Sequence, residues 1–143
     1  MDERKEIDEA VNAANDALYH LGEADEILNS AKNWGIADIL GGKFFTTAMK
    51  RSKMNEAASE IRMAQAALDQ LADELRDVNM YVHFDGALDG FEAVADYMFD
   101  NIFTDLMTQS RINEAKRQVQ EAIDQVEGIL DALDDISRER GYI

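Results

Sequence analysis

Three stretches of this chain carry apolar residues at alternating spacings of three and four, and that period commits it to long amphipathic helices. The first stripe is Ile7, Val11, Ala14, Leu18, Leu21 and Leu28, with Asp25 interrupting it. The second is Ala57, Ile61, Ala64, Leu68, Leu71, Leu75 and Val78. The third is Ile112, Ala115, Val119, Ala122, Val126, Ile129, Leu133 and Ile136. Stripes this narrow pack as antiparallel bundles or coiled coils. The second and third each span about 35 Å at the helical rise per residue. Alanine is frequent on all three, so the helix axes are expected to approach closely.

The second and third stripes belong to a repeated unit. Residues 37–57 recur as residues 95–115, and nine of those 21 positions are identical: Ala37/Ala95, Asp38/Asp96, Phe45/Phe103, Thr46/Thr104, Met49/Met107, Ser52/Ser110, Asn55/Asn113, Glu56/Glu114 and Ala57/Ala115. Composition alone yields roughly one or two matches, so a duplicated structural unit is expected. Beyond it the apolar frame persists, with Ile61, Leu68, Leu71, Leu75 and Val78 matching Val119, Val126, Ile129, Leu133 and Ile136. The two copies, residues 33–78 and 91–136, are expected to lie as pseudo-equivalent partners around the first helix.

Composition supports one all-α domain over residues 1–143. The chain has no proline, which favours long uninterrupted helices. It has no cysteine, so disulfides, thiolate metal sites and cysteine nucleophiles are excluded. The N-terminus, Met1-Asp2-Glu3-Arg4-Lys5-Glu6, lacks the apolar run of a signal peptide, and no segment approaches the length of a membrane span. A cytoplasmic protein is the resulting expectation. The net charge of −16 argues against nucleic-acid binding, which needs a basic surface. That charge is uneven: residues 1–35 hold 3 basic and 9 acidic side chains, residues 36–78 hold 6 and 7, and residues 79–143 hold 5 and 14. Lys43, Lys50, Arg51 and Lys53 cluster in the near-neutral middle. They suit pairing with acidic helices of the same molecule, or docking of an acidic partner or anionic lipid.

Two aromatic-rich connectors separate the stripes. Residues 33–50 are expected to form a turn and a short helix, with breaks at Gly35, Gly41 and Gly42. Residues 91–108 lack internal glycine and are expected to form a fuller helix from about Leu88 to Asp105. Ser52 and Ser110 suit N-caps of the second and third long helices, which could instead run through from Thr46 and Thr104. Trp34, Phe44, Phe45, Phe99 and Phe103 suit one end of the bundle as core. An exposed remainder would form a contact surface, with Trp34, Phe44, Phe45 and Arg51 as the candidate residues.

Chemistry-bearing constellations are sparse. Asp38 and Asp96 form a candidate polar pair at matching repeat positions, suited to capping and ion pairing or to a ligand pocket. A dinuclear carboxylate centre wants Glu-x-x-His, and neither His20 nor His83 has a glutamate three residues before it. Both histidines therefore read as structural. Gly41-Gly42-Lys43 fails as a phosphate loop, because Ala37 and Phe44 stand where glycine and Ser or Thr belong. Asp85-Gly-Ala-Leu-Asp89-Gly lacks the ligand alternation and closing glutamate of a calcium loop. No catalytic, cofactor-binding or metal-ligating residue is assigned on sequence.

The pattern Trp34-Gly35-x-x-Asp38-x-x-Gly41-Gly42, followed by Phe99-Asp100-Asn101-Ile102-Phe103-Thr104-Asp105, resembles uncharacterised bacterial all-helical proteins over roughly residues 30–136. The resemblance implies no activity. The expectation is an antiparallel bundle of three long helices with one or two short connector helices. Its expected role is a non-catalytic interaction or scaffold module that binds a protein partner or itself. The alternative is a small-ligand- or metal-binding helical protein, with an enzyme among the possibilities, using the Asp38/Asp96 region. Membrane attachment through residues 36–54 is a weaker reading, since the matching connector holds Glu92, Asp96, Asp100 and Asp105, which anionic lipid would repel.

Overall fold

The computed structural model describes residues 3–30, 43–79, 99–108 and 112–143. Among these the protein is all-α, a bundle of three long helices with no strand. Helix α1 spans Glu3–Asn29, α2 spans Lys43–Asn79 and α3 spans Ile112–Glu139. Between α2 and α3, residues 99–103 are helical and run into a π-helical turn at Thr104–Thr108. No described helix is long and apolar enough to cross a membrane.

Helix α1 is the shared partner, packed along both α2 and α3. Its direction against α2 follows from two contacts. His20 meets Glu60 near the end of α1, and Glu9 lies beside Glu74 near its start, so the two helices are antiparallel. Against α3, the hydroxyl of Tyr142 donates to Glu3 Oε1 at 3.0 Å and Arg140 Nε stands 3.5 Å from the same oxygen. The start of α1 therefore meets the end of α3, and α2 and α3 run parallel to one another.

On α2 and α3 the expected stripes supply most of the core. Ala57, Ile61, Ala64, Leu68, Leu71, Leu75 and Val78 are buried on α2, as are Ala115, Val119, Ala122, Val126, Ile129 and Leu133 on α3. Ile112 and Ile136 are partly buried against them. Helix α1 departs from expectation. Its seam passes through Ile7, Ala10, Ala14, Ala17, Leu21, Ala24 and Leu28, whereas Val11 and Leu18 sit only partly buried at its flank. Asp25 thus does not interrupt the seam; it lies beside Ala24, where Asn29 Nδ2 donates to its Oδ2 at 3.3 Å. The antiparallel register sets Ala17 level with Ala64 and Ala24 level with Ala57. Small residues facing small residues draw the two backbones together, and the larger side chains of the neighbouring layers fill the space between.

Helix α2 is longer than its stripe. It begins at Lys43 and covers 37 residues, about 55 Å, against about 42 Å for the 28 residues of α3. Ser52 is therefore an exposed residue inside the helix rather than an N-cap, and residues 43–50 extend α2 instead of forming a separate short helix. Helix α3 is described from Ile112; Ser110 lies outside the described residues. Residues 99–108 supply Phe99, Ile102 and Leu106 to the core. Phe103, partly buried, lies under the Arg62 guanidinium, 5.6 Å from its ring centre, and Gln118 Nε2 donates to Asp105 Oδ2 at 3.0 Å.

A glycine cap ends α3. Gly141 adopts a φ of 76°, which suits glycine, with Gly141 N–H donating to Arg138 O and Tyr142 N–H donating to Ser137 O at 2.8 Å. That turn aims the Tyr142 ring back at the core and its hydroxyl at Glu3. Exposed pairs such as Arg76–Asp73, Arg138–Asp134 and Arg117 with Glu114 and Glu121 join residues one turn apart, so they support single helices and say little about packing.

Leu71→Ala and Ile129→Ala, each removing a buried seam side chain, are expected to destabilise the fold by about 2–5 kcal/mol. Met63→Ala, at a 47% exposed position of α2, should change it by less than about 0.5 kcal/mol. Denaturant melts of the three variants provide the check.

Candidate functional site

The polar groups that matter most sit where α1 starts and α2 ends. Glu6 and Glu9 are one turn apart on α1, and the register brings Glu74 of α2 alongside them. One carboxylate oxygen from each of the three lies within 4.8 Å of the other two. Glu6 follows the seam inward beside Ile7 and is 7% exposed, the single buried ionisable side chain among the described residues. Its Oε2 and the Oε2 of Glu74 are both shielded from solvent and without a hydrogen-bond partner. Burying an unpartnered carboxylate is costly, and three in one place repel one another.

The surroundings compensate only in part. Gln70 Nε2 donates to Glu74 Oε1 at 2.7 Å. Lys5 Nζ stands 3.9 Å from Glu9 Oε1, where both side chains are well exposed and the attraction is screened. Burial pushes the Glu74 carboxyl above its usual range, the Gln70 amide opposes that rise, and Glu9 and Asp77 add to it. Chemically the cluster is a set of hard oxygen donors on two helices, able to share protons or to surround a cation.

A second cross-helix contact lies farther along the same helix pair. His20 Nδ1 donates to Glu60 Oε2 at 2.8 Å, with both side chains about three-quarters buried, and the Tyr19 ring meets the imidazole edge-on. His20 is thus held across the helix pair by a residue of α2. Tyr19 itself is 63% exposed.

The residues singled out from sequence fall elsewhere. Arg51 is exposed on α2, and Phe44 and Phe45 stand in its first turn, their side chains outside what is described. Trp34, Asp38, Asp96 and His83 lie outside the described residues, and so does any pairing of the two aspartates. Of the basic cluster, Lys53 bonds Glu56 of its own helix at 3.2 Å.

Sequence reading passed over Glu6, Glu9 and Glu74. Glu6-x-x-Glu9 is not a Glu-x-x-His pattern, and a glutamate beside an apolar seam looks like any solvated helix face. The usable signal was Glu6 in register with Ala10 and Ala13, a position that turns inward once α1 is given its alanine seam. Comparison of the chain with known protein families, with curated proteins and with solved structures returned no match.

A carboxyl group whose folded-state pKa is raised contributes stability on the acid side that is lost as pH rises through that value. Glu74→Gln removes the ionisation. In protein freed of divalent ions with a chelator, the variant should therefore be more stable than the parent at pH 7 and converge with it near about pH 4, where the parent carboxyl is protonated. Denaturant melts at the two pH values test this, and an equal gain at both would place the effect outside ionisation.

Proposed function

We propose that the chain is a non-catalytic helical interaction module, associating with a further copy of itself or with a protein partner through the start of α2. The observation that carries this reading is the overhang of α2. In the register set by His20–Glu60 and Glu9–Glu74, the last turn of α1 ends level with about Lys53, so residues 43–52 extend past it by about 15 Å. That overhang holds Phe44, Phe45, Lys50 and exposed Arg51, in the near-neutral third of an otherwise acidic chain. Aromatic residues and arginine dominate interface energetics, while acidic faces chiefly confer solubility. Like charge would hold copies apart elsewhere on the surface, which leaves this stretch as the place where they meet.

The duplication belongs to the same reading. The long helices of the two copies flank α1 and bury largely matching seams at an offset of 58, from Ala57/Ala115 to Leu75/Leu133. The helix of one copy runs back to Lys43, while the matching stretch of the other holds the π turn of Thr104–Thr108. On this account only the first copy presents the contact surface. Ligand binding is the second reading, favoured by Glu6, Glu9 and Glu74 rather than by Asp38 and Asp96.

Trp34 is the only tryptophan, so its emission reports on the neighbouring connector. Association should appear in sedimentation as the concentration rises, strengthen with added sodium chloride, and bring a blue shift over the same range. Arg51→Glu and Phe45→Ala should weaken it without altering the helical circular dichroism. A single species at every concentration, with emission indifferent to dilution, would overturn self-association.

A further inference from the structure

We propose that Glu6, Glu9 and Glu74 bind one hard divalent cation, clamping the start of α1 to the end of α2. Three independent features of the site point to a ligand. Glu6 is more than nine-tenths buried and its Oε2 is shielded from solvent without a hydrogen-bond partner, although a solvent-facing rotamer would be the ordinary choice for a glutamate. Glu74, on the facing helix, likewise keeps one carboxylate oxygen buried and unpartnered. The three donor oxygens lie within 4.8 Å of one another, a separation that one cation spans with metal–oxygen bonds of 2.3–2.6 Å.

The donor chemistry selects the class of ion. Carboxylates with no thiolate and no imidazole in the cluster suit calcium, magnesium or manganese rather than zinc or copper. A doubly charged ion offsets most of the charge of three carboxylates, and water completes the coordination on the side where Glu9 and Glu74 reach solvent. The site is built on two helices whose register is already set by His20–Glu60 farther along, and the start of α1 is also held to the end of α3 by Glu3 with Arg140 and Tyr142. Binding therefore needs small side-chain movements and no refolding. The clamp sits at the opposite end of α2 from the overhang, so it does not depend on the interaction reading.

The test uses the full chain after chelator treatment and desalting. Calorimetric titration with calcium, and paramagnetic titration with manganese, should each show one saturable site per chain. The melting temperature should rise at cation concentrations far below those at which sodium chloride, matched for ionic strength, has any effect. Glu6→Gln and Glu74→Gln, nearly isosteric, should remove that rise and weaken binding at least tenfold while the metal-free variants stay folded. Glu121→Gln, on the exposed face of α3, should leave it intact. Binding that survives both Glu6→Gln and Glu74→Gln would mean diffuse condensation of cations on an acidic surface and would overturn the site. So would the absence of any saturable binding at millimolar calcium and manganese.

Discussion

Everything in this bundle depends on how closely α1 can approach α2. Ala10, Ala17 and Ala24 form one edge of the α1 seam at intervals of seven, and Ala57 and Ala64 stand across from two of them. Small side chains let the backbones come together, and the gain is dispersion contact along the whole length rather than a few large anchors. The same choice favours one register, because levels occupied by alanine on both helices leave little room for a larger side chain. Register in turn decides which polar groups meet. His20 with Glu60, and Glu6 and Glu9 with Glu74, are consequences of the alanine seam as much as of their own chemistry.

The charge distribution works against this closeness. A chain of −16 places most of its carboxylates outward, where water and salt moderate their repulsion. Glu6 is the exception, carried inward by the seam that makes α1 pack. A buried carboxylate is poor evidence of stability and better evidence of use, because an apolar residue at that position would pack without the penalty. The most deeply buried acid among the described residues thus lies at a joint between two helices, where a bound charge would have the greatest leverage over their association.

Much of the architecture was legible from residue spacing. The seams of α2 and α3 were readable because one of their two edges carries branched side chains throughout: Ile61, Leu68 and Leu75 on α2, Val119, Val126 and Leu133 on α3. The seam of α1 was misplaced because hydropathy favours Val11 and Leu18 over Ala10 and Ala17, although packing geometry favours the alanines. The start of α2 at Lys43 follows Gly41-Gly42, yet the serine and threonine further on competed as caps. The glutamate cluster was out of reach for a different reason. Glu6 and Glu74 are far apart in sequence, and only the register of two helices brings them together; no local pattern encodes it. The cap at Gly141 was legible in principle, as a glycine after a charged last turn and before an aromatic residue.

The hydrogen bond from Tyr142 to Glu3 has a mechanical consequence. It places the two ends of the described chain side by side at one end of the bundle, with α1 and α3 antiparallel behind them. A force pulling residues 3 and 142 apart loads that contact and the Arg140 pair first, across the helix axes rather than along them. The seam then opens one layer at a time, like a zipper, instead of resisting as a whole in shear. The protein is thereby compliant to tension between its ends while remaining stiff along the length of α2, an anisotropy set by a single glycine-capped turn.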